Sequence, residues 1–317
     1  MIAAQDKINV EDANGLDVRV ILVAWSPDTK ATEPSQTSPY GPVITLETLA
    51  RSSRAWQYAF GVESDAGGAM VQAFVAAKGS GEQISRMQGG SVTKSKDHPT
   101  VDSARPVGIE QTERHSRQQH HHVAVGGTFD HLHIGHKLLL AMTIFAVDDA
   151  AKGDDRSQRS ATIGITGDQL LVNKKHAEVL ESWDRRQKAV QQFVDSMINF
   201  TSEPPAVRPR NDAGPNGKSV DLCYPNGLVI KCTEIQDPFG PTITDEHISA
   251  LIISGETRSG GKAVNDKRKE KGWNELAVFE VDVLDADEGG EVKEGFQSKL
   301  SSTAIREKIA RKTQASL

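Results

Sequence analysis

The sequence predicts an α/β protein built on a Rossmann-like parallel sheet, preceded by a small α+β N-terminal region and a flexible linker. Three observations carry this. From residue 121 onward, short apolar runs alternate with helical stretches, the pattern of a parallel sheet covered on both faces. The first apolar run ends in a glycine pair that leads directly into a helix. Ahead of it, a polar stretch with no apolar periodicity separates this region from the N-terminal one.

In the N-terminal region, 1–78, Val18–Trp25 reads as a strand. Thr45–Phe60 reads as a helix with Ala50, Ala55 and Phe60 partly in phase, and Ala69–Ala77 as a further ordered apolar piece. No chemical motif stands out there. Residues 79–120, with Gly79, Gly81, Gly89, Gly90, Lys94 and Lys96, cannot bury enough surface to offset the entropy of ordering and read as the linker.

The third region, 121–317, opens with the strand Val123–Val125, then Gly126–Gly127 and a helix over Gly135–Val147. Ala161–Thr166 is a second buried strand. The helix near Asp184–Phe200 sets Val190, Phe193, Val194, Met197 and Ile198 on one face, with Asp184 as its expected N-cap. Leu228–Cys232, Ala250–Ser254 and Leu276–Leu284 read as strands, and Gly261–Lys271 and Thr303–Lys312 as helices. Glu203–Gly217 and the acidic Ala286–Gly295 read as surface loops. In such a sheet, ligands bind at the carboxyl ends of the strands, which places the turn 123–136 at the site.

Composition narrows the function classes. The 317 residues are 37% hydrophobic and 25% charged, as expected of a globular core. A net charge of −6 argues against bulk nucleic-acid binding but leaves room for a local anion pocket. The two cysteines, Cys223 and Cys232, form no disulfide framework and suggest a reducing compartment. No apolar run reaches membrane-spanning length, and the N-terminus lacks the parts of a signal peptide, so the expectation is a cytoplasmic protein without membrane contact.

The turn GGTFDHLHIGHK (126–137) concentrates the chemistry. Gly126 and Gly127 let a phosphate approach bare backbone. Thr128 offers a hydroxyl, and Asp130 can fix the loop. His133 and His136, spaced by three, share one face of a helical first turn, with Gly135 leaving room between them. The helix N-terminus adds free N–H donors and the positive end of its dipole. His131, His133 and His136, with His120–His122 upstream, could in principle bind zinc. Their spacing matches no closed zinc set, and no cysteine or carboxylate partner sits at ligand spacing, so no metal site of protein ligands is expected. Gly217-Lys218-Ser219 resembles the end of a phosphate loop, but Asp212 stands where its first glycine belongs.

The pattern G-T-F-D-x-x-H-x-G-H resembles the HxGH signature of the nucleotidyltransferase superfamily, most closely the eukaryotic and archaeal phosphopantetheine adenylyltransferases in a fungal-like monofunctional form. The resemblance spans roughly 122–312. Downstream segments agree with it: TGDQLLVNKKHAEVLESWDRR (166–186), SGETRSGGKAVN (254–265) and SSTAIR (301–306). It implies the transfer of adenylate from ATP to 4′-phosphopantetheine, giving dephospho-CoA and pyrophosphate in coenzyme A synthesis.

By the same resemblance, the catalytic residues are His136, His133, Lys174 and Thr128. ATP would be bound by Gly126, Gly127, Thr128, Phe129, His133, Gly135, His136, Glu256, Arg258, Asn265, Ser301, Ser302, Thr303 and Arg306, with Thr257 a further candidate. Phosphopantetheine would be bound by Thr128, Asp130, Lys174 and Lys175, with Lys174 the better match of the two lysines. Mg²⁺ would bridge phosphate oxygens. A separate dephospho-CoA kinase, or other coenzyme A enzymes, would be partners. Related readings are an adenylyl- or cytidylyltransferase for nicotinamide mononucleotide or glycerol phosphate, and a scaffold for coenzyme A enzymes. The intact Thr128, His133, His136 and SST run argue against an inactive scaffold.

Overall fold

The structure is a computed structural model that describes residues 19–27, 39–54, 56, 58–79, 85–87, 118–148, 158–281 and 302–315. Most of the expected linker, the segment Ala286–Gly295 and Ser301 lie outside the described residues.

Near the N-terminus, strand β1 (Leu22–Ala24) pairs in parallel with β2 (Val43–Thr45). Helix α1 (Leu46–Arg51) follows, capped by Thr45, whose hydroxyl accepts from the Thr48 amide. The helix expected over Thr45–Phe60 is shorter than its pattern suggested. Ser52 takes extended backbone and turns its hydroxyl back onto the Leu49 carbonyl, and the chain re-forms as β3 (Tyr58–Phe60). Helix α2 (Asp65–Lys78) packs on α1 through Leu46, Ala50 and Phe74. Within the expected linker, β4 (Ser85–Met87) pairs in parallel with β3. This unit meets the rest of the chain where Gly41 N donates to Ile198 O and Arg54 lies 4.3 Å over the Phe200 ring.

The larger region is a seven-stranded sheet. Its strands are β5 (His122–Gly127), β6 (Arg159–Thr166), β7 (Ala206–Asn211), β8 (Lys218–Cys223), β9 (Leu228–Ile235), β10 (Ala250–Ser254) and β11 (Ala277–Val281). They lie in the order β11-β10-β5-β6-β9-β8-β7, parallel from β11 to β9 and antiparallel across β8 and β7. The helices are α3 (Ile134–Phe145), α4 (Trp183–Ile198), α5 (Arg258–Glu270) and α6 (Ser302–Ala315).

Strand alternation sorts the core into two layers. Val123, Val125 and Ile252 join the cluster containing Leu140 of α3 and Val190 of α4. Ala124, Leu251 and Ile253 face the other way, onto Val264 of α5. Strand β5 has β6 on one side and β10 on the other, so the chain reverses its winding direction there. A crevice opens at such a switch point.

Two expectations need correction. Glu203–Gly217 is not a plain loop: Ala206–Asn211 forms the edge strand β7, paired with β8. All six residues of β7 are exposed and include Pro209, so no apolar alternation marked it. Gly217 closes the hairpin turn and Lys218–Ser219 enter β8, not a helix. The N-cap of α4 is Ser182 rather than Asp184, and the Trp183 amide is met by the Asp168 carboxylate at 3.1 Å. No helix among the described residues is long and apolar enough to cross a membrane.

On α5, Arg268 is 1% exposed. Its guanidinium donates to the carbonyls of Thr242, Asp245, Glu246, Ile248 and Asn274 at 2.7–3.3 Å. Removing it strands those acceptors and leaves a cavity. Arg268→Ala is therefore expected to lower the unfolding free energy by about 3 kcal/mol in urea titrations.

Candidate active site

A cavity of about 440 Å³ occupies the switch-point crevice. Its lining brings together Gly126, Gly127 and Thr128 from the end of β5, and His133, Gly135 and His136 from the start of α3. Lys174 comes from the loop after β6, Glu256 from the turn after β10, and Ser302, Thr303 and Arg306 from α6.

The turn after β5 is held in an unusual backbone. Phe129 (φ 52°) and His131 (φ 46°) are both left-handed, a conformation that costs about 1–3 kcal/mol at each such residue. Burial of Phe129 and two hydrogen bonds at His131 offset it: the amide donates to the Glu181 carboxylate (2.8 Å), and the ring pairs with the Val179 carbonyl (2.9 Å). His131 is thereby held against the Val179–Glu181 segment and does not line the cavity. The rings of His133 and His136 stack with centroids 3.9 Å apart at 22°. A Cβ on residue 135 would lie 3.2 Å from the His133 ring, which is why glycine stands there. His133 is the N-cap of α3 but makes no side-chain cap bond, so the first-turn N–H groups of the helix remain available.

Both histidines are half-buried at the cavity wall, and the Nδ1 of each is buried without a hydrogen-bond partner. Burial pushes the His133 pKa down to about 4 and holds that of His136 well below the ordinary histidine range, with His133 adding to the effect. The site therefore presents two neutral, polar, unsatisfied rings. Among the described residues, no three His, Cys, Asp or Glu side chains come together in a group that could hold a metal ion.

Other expected residues lie outside the lining. Phe129 is fully buried, with its ring 5.3 Å from that of His136, and backs the histidine rather than the cavity. Asp130 is 0% exposed and pairs with Arg306 at 2.7 Å. The Lys175 carbonyl accepts from Arg306, while Lys174 is the lysine that lines the cavity. Arg258 does not present a free fork to phosphate, because Glu280 takes both its Nε and Nη2. Asn265 is engaged with both backbone groups of Leu276 and ties α5 to the chain entering β11.

The structure adds residues that the sequence reading did not single out. Thr166 lines the cavity and donates to the Gly127 carbonyl, and Ser254 lines it from the end of β10. Both are last residues of parallel strands beside β5, a position that could have named them. Leu139 and Val281 supply apolar wall. Arg186, fully buried on α4, donates to Thr128 O at 2.7 Å and Thr166 O at 2.8 Å. Its signal was an arginine in phase with Val190 and Phe193 on the apolar helix face.

A second recess of about 260 Å³ adjoins the first and shares Gly126, Gly127, Thr166 and Thr257 with it. Its remaining walls are mainly apolar, including Ile235, Phe239, Leu251, Ile253 and Val264.

A mostly parallel sheet with a cavity at its switch point, bordered by the starts of two helices and a histidine pair, is the layout of a ligand-binding, doubly wound α/β fold. The profile of the cytidylyltransferase-like family matches residues 124–308, and the chain belongs to this family. Residues 1–93 match a domain of unknown function. The chain is 38% identical over 186 residues to a phosphopantetheine adenylyltransferase of Saccharomyces cerevisiae, covering 59% of this chain and 48% of that one. An uncharacterized protein of Schizosaccharomyces pombe is 36% identical over 189 residues, with the same 59% and 48% coverage. A phosphopantetheine adenylyltransferase of Methanothermobacter thermautotrophicus is 28% identical over 184 residues, covering 58% of this chain and 82% of that one. The chain thus spans about half the length of the two yeast relatives.

The depressed histidine pKa has a consequence for stability. Below about 6.5, the unfolded chain takes up a proton that native His133 refuses. Stability is therefore retained above pH 6.5 and lost as the pH falls towards 4. Urea midpoints are expected to drop between pH 7.5 and pH 5, and His133→Asn is expected to flatten that decline.

Proposed function

We propose that this chain transfers the adenylyl group of ATP to 4′-phosphopantetheine, giving dephospho-CoA and pyrophosphate. The observation that carries this reading is the cavity with its stacked neutral histidines, joined to an apolar recess at its Gly126–Gly127 neck. The first space suits a polyphosphate. The second suits the long, weakly polar arm of the acceptor, which glycerol phosphate lacks. The named yeast and archaeal relatives support the same reaction.

In this reading, a phosphate oxygen of the acceptor attacks the α-phosphorus of ATP. A new P–O bond forms as the bond to the bridging αβ-oxygen breaks, and pyrophosphate leaves with that electron pair. The nucleophile is already anionic near pH 7, so no general base is required, and catalysis consists of alignment and charge stabilisation. Thr128 and Lys174 place the attacking phosphate. His133 and His136, each with an N–H to donate, hold the α- and β-phosphate oxygens, and His136 favours the five-coordinate transition state. Gly126 and Gly127 admit the ligand to bare backbone. Ser302 and Thr303, with Ser301 before them, hold the outer phosphates at the N-terminus of α6.

Magnesium fits as an ion carried by phosphate oxygens. The lining holds one carboxylate, Glu256, able to meet it or its water shell, and the ion would supply charge neutralisation. Two free cysteines, Cys223 and the buried Cys232, support a reducing, cytoplasmic setting. The product would pass to a separate dephospho-CoA kinase.

Pyrophosphate release should be fastest with ATP and phosphopantetheine, compared with CTP as donor and with nicotinamide mononucleotide or glycerol phosphate as acceptor. Faster release with any of those alternatives rejects the assignment. His136→Ala should lower kcat by about 10²-fold or more with the fold intact, and normal turnover in a folded variant would remove its role. At Gly126, an added Cβ meets nothing closer than Ile235, at 3.7 Å. Gly126→Val should therefore fold yet raise the acceptor KM by about tenfold or more, measured by steady-state kinetics.

A further inference from the structure

We propose that Asp130 and Arg306 form a buried clasp that positions the phosphate-binding groups. This rests on the reaction proposed above and makes both of them positioning residues for it. The resemblance implies direct phosphate contact for Arg306, and the residue does border the cavity, but three of its N–H groups are already engaged by the protein. Nη1 donates to Asp130 Oδ2 at 2.7 Å, Nε to the Lys175 carbonyl at 3.0 Å, and Nη2 to Thr303 Oγ1 at 3.2 Å. The residue is 2% exposed.

Asp130 is 0% exposed and serves as the fixed end. Its Oδ1 accepts from the Glu181 amide at 2.9 Å, and its backbone carbonyl accepts from Ser302 Oγ at 3.2 Å. One ion pair therefore joins four segments around the cavity: the histidine turn, the lysine loop, the lead-in to α4 and the start of α6. To turn its whole fork onto a phosphate, Arg306 would have to leave a fully buried carboxylate without a countercharge, a costly exchange in a low-dielectric interior.

The clasp also orients the donors. Thr303 Oγ1 accepts from Arg306, so its own hydrogen is left to donate into the cavity it lines. The Lys175 carbonyl is pinned, which fixes the backbone from which Lys174 enters the same cavity. The start of α6, at Ser302 and Thr303, and the lysine loop thus close on the phosphates as one unit.

The test uses the full chain with Asp130→Asn, Arg306→Lys, Arg306→Met and the double variant Asp130→Asn/Arg306→Met. Arg306→Lys keeps a charge opposite Asp130 but not the three-way fork, so it should fold, with a melting temperature below that of the parent and above that of Arg306→Met. Its KM for ATP should nevertheless rise and its kcat fall, by about ten- to a hundredfold. Amide exchange at residues 174–176 and 302–306 should accelerate in the absence of substrate. The double variant should lose no more than the worse of its two single variants.

An Arg306→Lys variant with parental ATP kinetics and parental exchange overturns the clasp. So does a double variant whose loss is the product of the two single losses, because the residues would then act separately. If Asp130→Asn does not fold, Arg306→Lys still decides. The exchange measurement needs no substrate. It therefore remains decisive if turnover with phosphopantetheine is absent and the reaction assignment itself fails.

Discussion

The site depends on one guanidinium, that of Arg186. It is fully buried and has four acceptors: the carbonyls of Thr128, Thr166 and Glu181 and the carboxylate of Asp168, at 2.6–2.9 Å. A cation in the interior persists only when its donors are met. Satisfying this one forces the ends of β5 and β6 and the approach to α4 into a single arrangement. The Glu181 amide then fixes Asp130, and its carboxylate fixes the His131 amide. The left-handed turn that stacks His133 on His136 is the outcome. Its strain is carried by a network whose members lie mostly outside the cavity.

Much of this was legible in the sequence, and the boundary is physical. Parallel strands buried on both faces are short apolar runs, so β10 could be placed over Ala250–Ser254 without error. The turn motif located the crevice, because glycine, threonine and histidine at fixed spacing have few other uses together. Edge strand β7 left no such mark, since nothing packs on it and its residues carry no alternation. Side-chain direction was also hidden. Arg258 and Arg306 are both arginines in site-like segments, yet Glu280 claims the first and Asp130 the second. Sequence shows that a cation is present, but not which anion reaches it first. The buried Arg186 was passed over for the same reason, since charge on a helix usually means a solvated face.

The site also shows how a chain of net negative charge can gather anion-compatible groups in one cavity. The net charge is −6. The cavity nonetheless collects one lysine, two helix starts and two imidazoles whose Nδ1 atoms lack partners. Neutral rings avoid the cost of buried charge before a ligand arrives. Backbone N–H groups at the starts of α3 and α6 are fixed dipoles, and they require no counterion.

The exposed hairpin has a bearing on how the molecule keeps to itself. A parallel sheet that ended at β9 would offer a long row of unpaired amide and carbonyl groups to any passing chain. The added pair β8–β7 moves that boundary outward to a strand reading Ala-Val-Arg-Pro-Arg-Asn. Pro209 has no amide proton to give, and Arg208 and Arg210 sit on either side of it, with Arg210 tethered to Asp212 and Asp221. A strand trying to zip onto this border meets a missing rung between two cations. The hairpin serves as a selvedge, the finished border that keeps a woven sheet from growing.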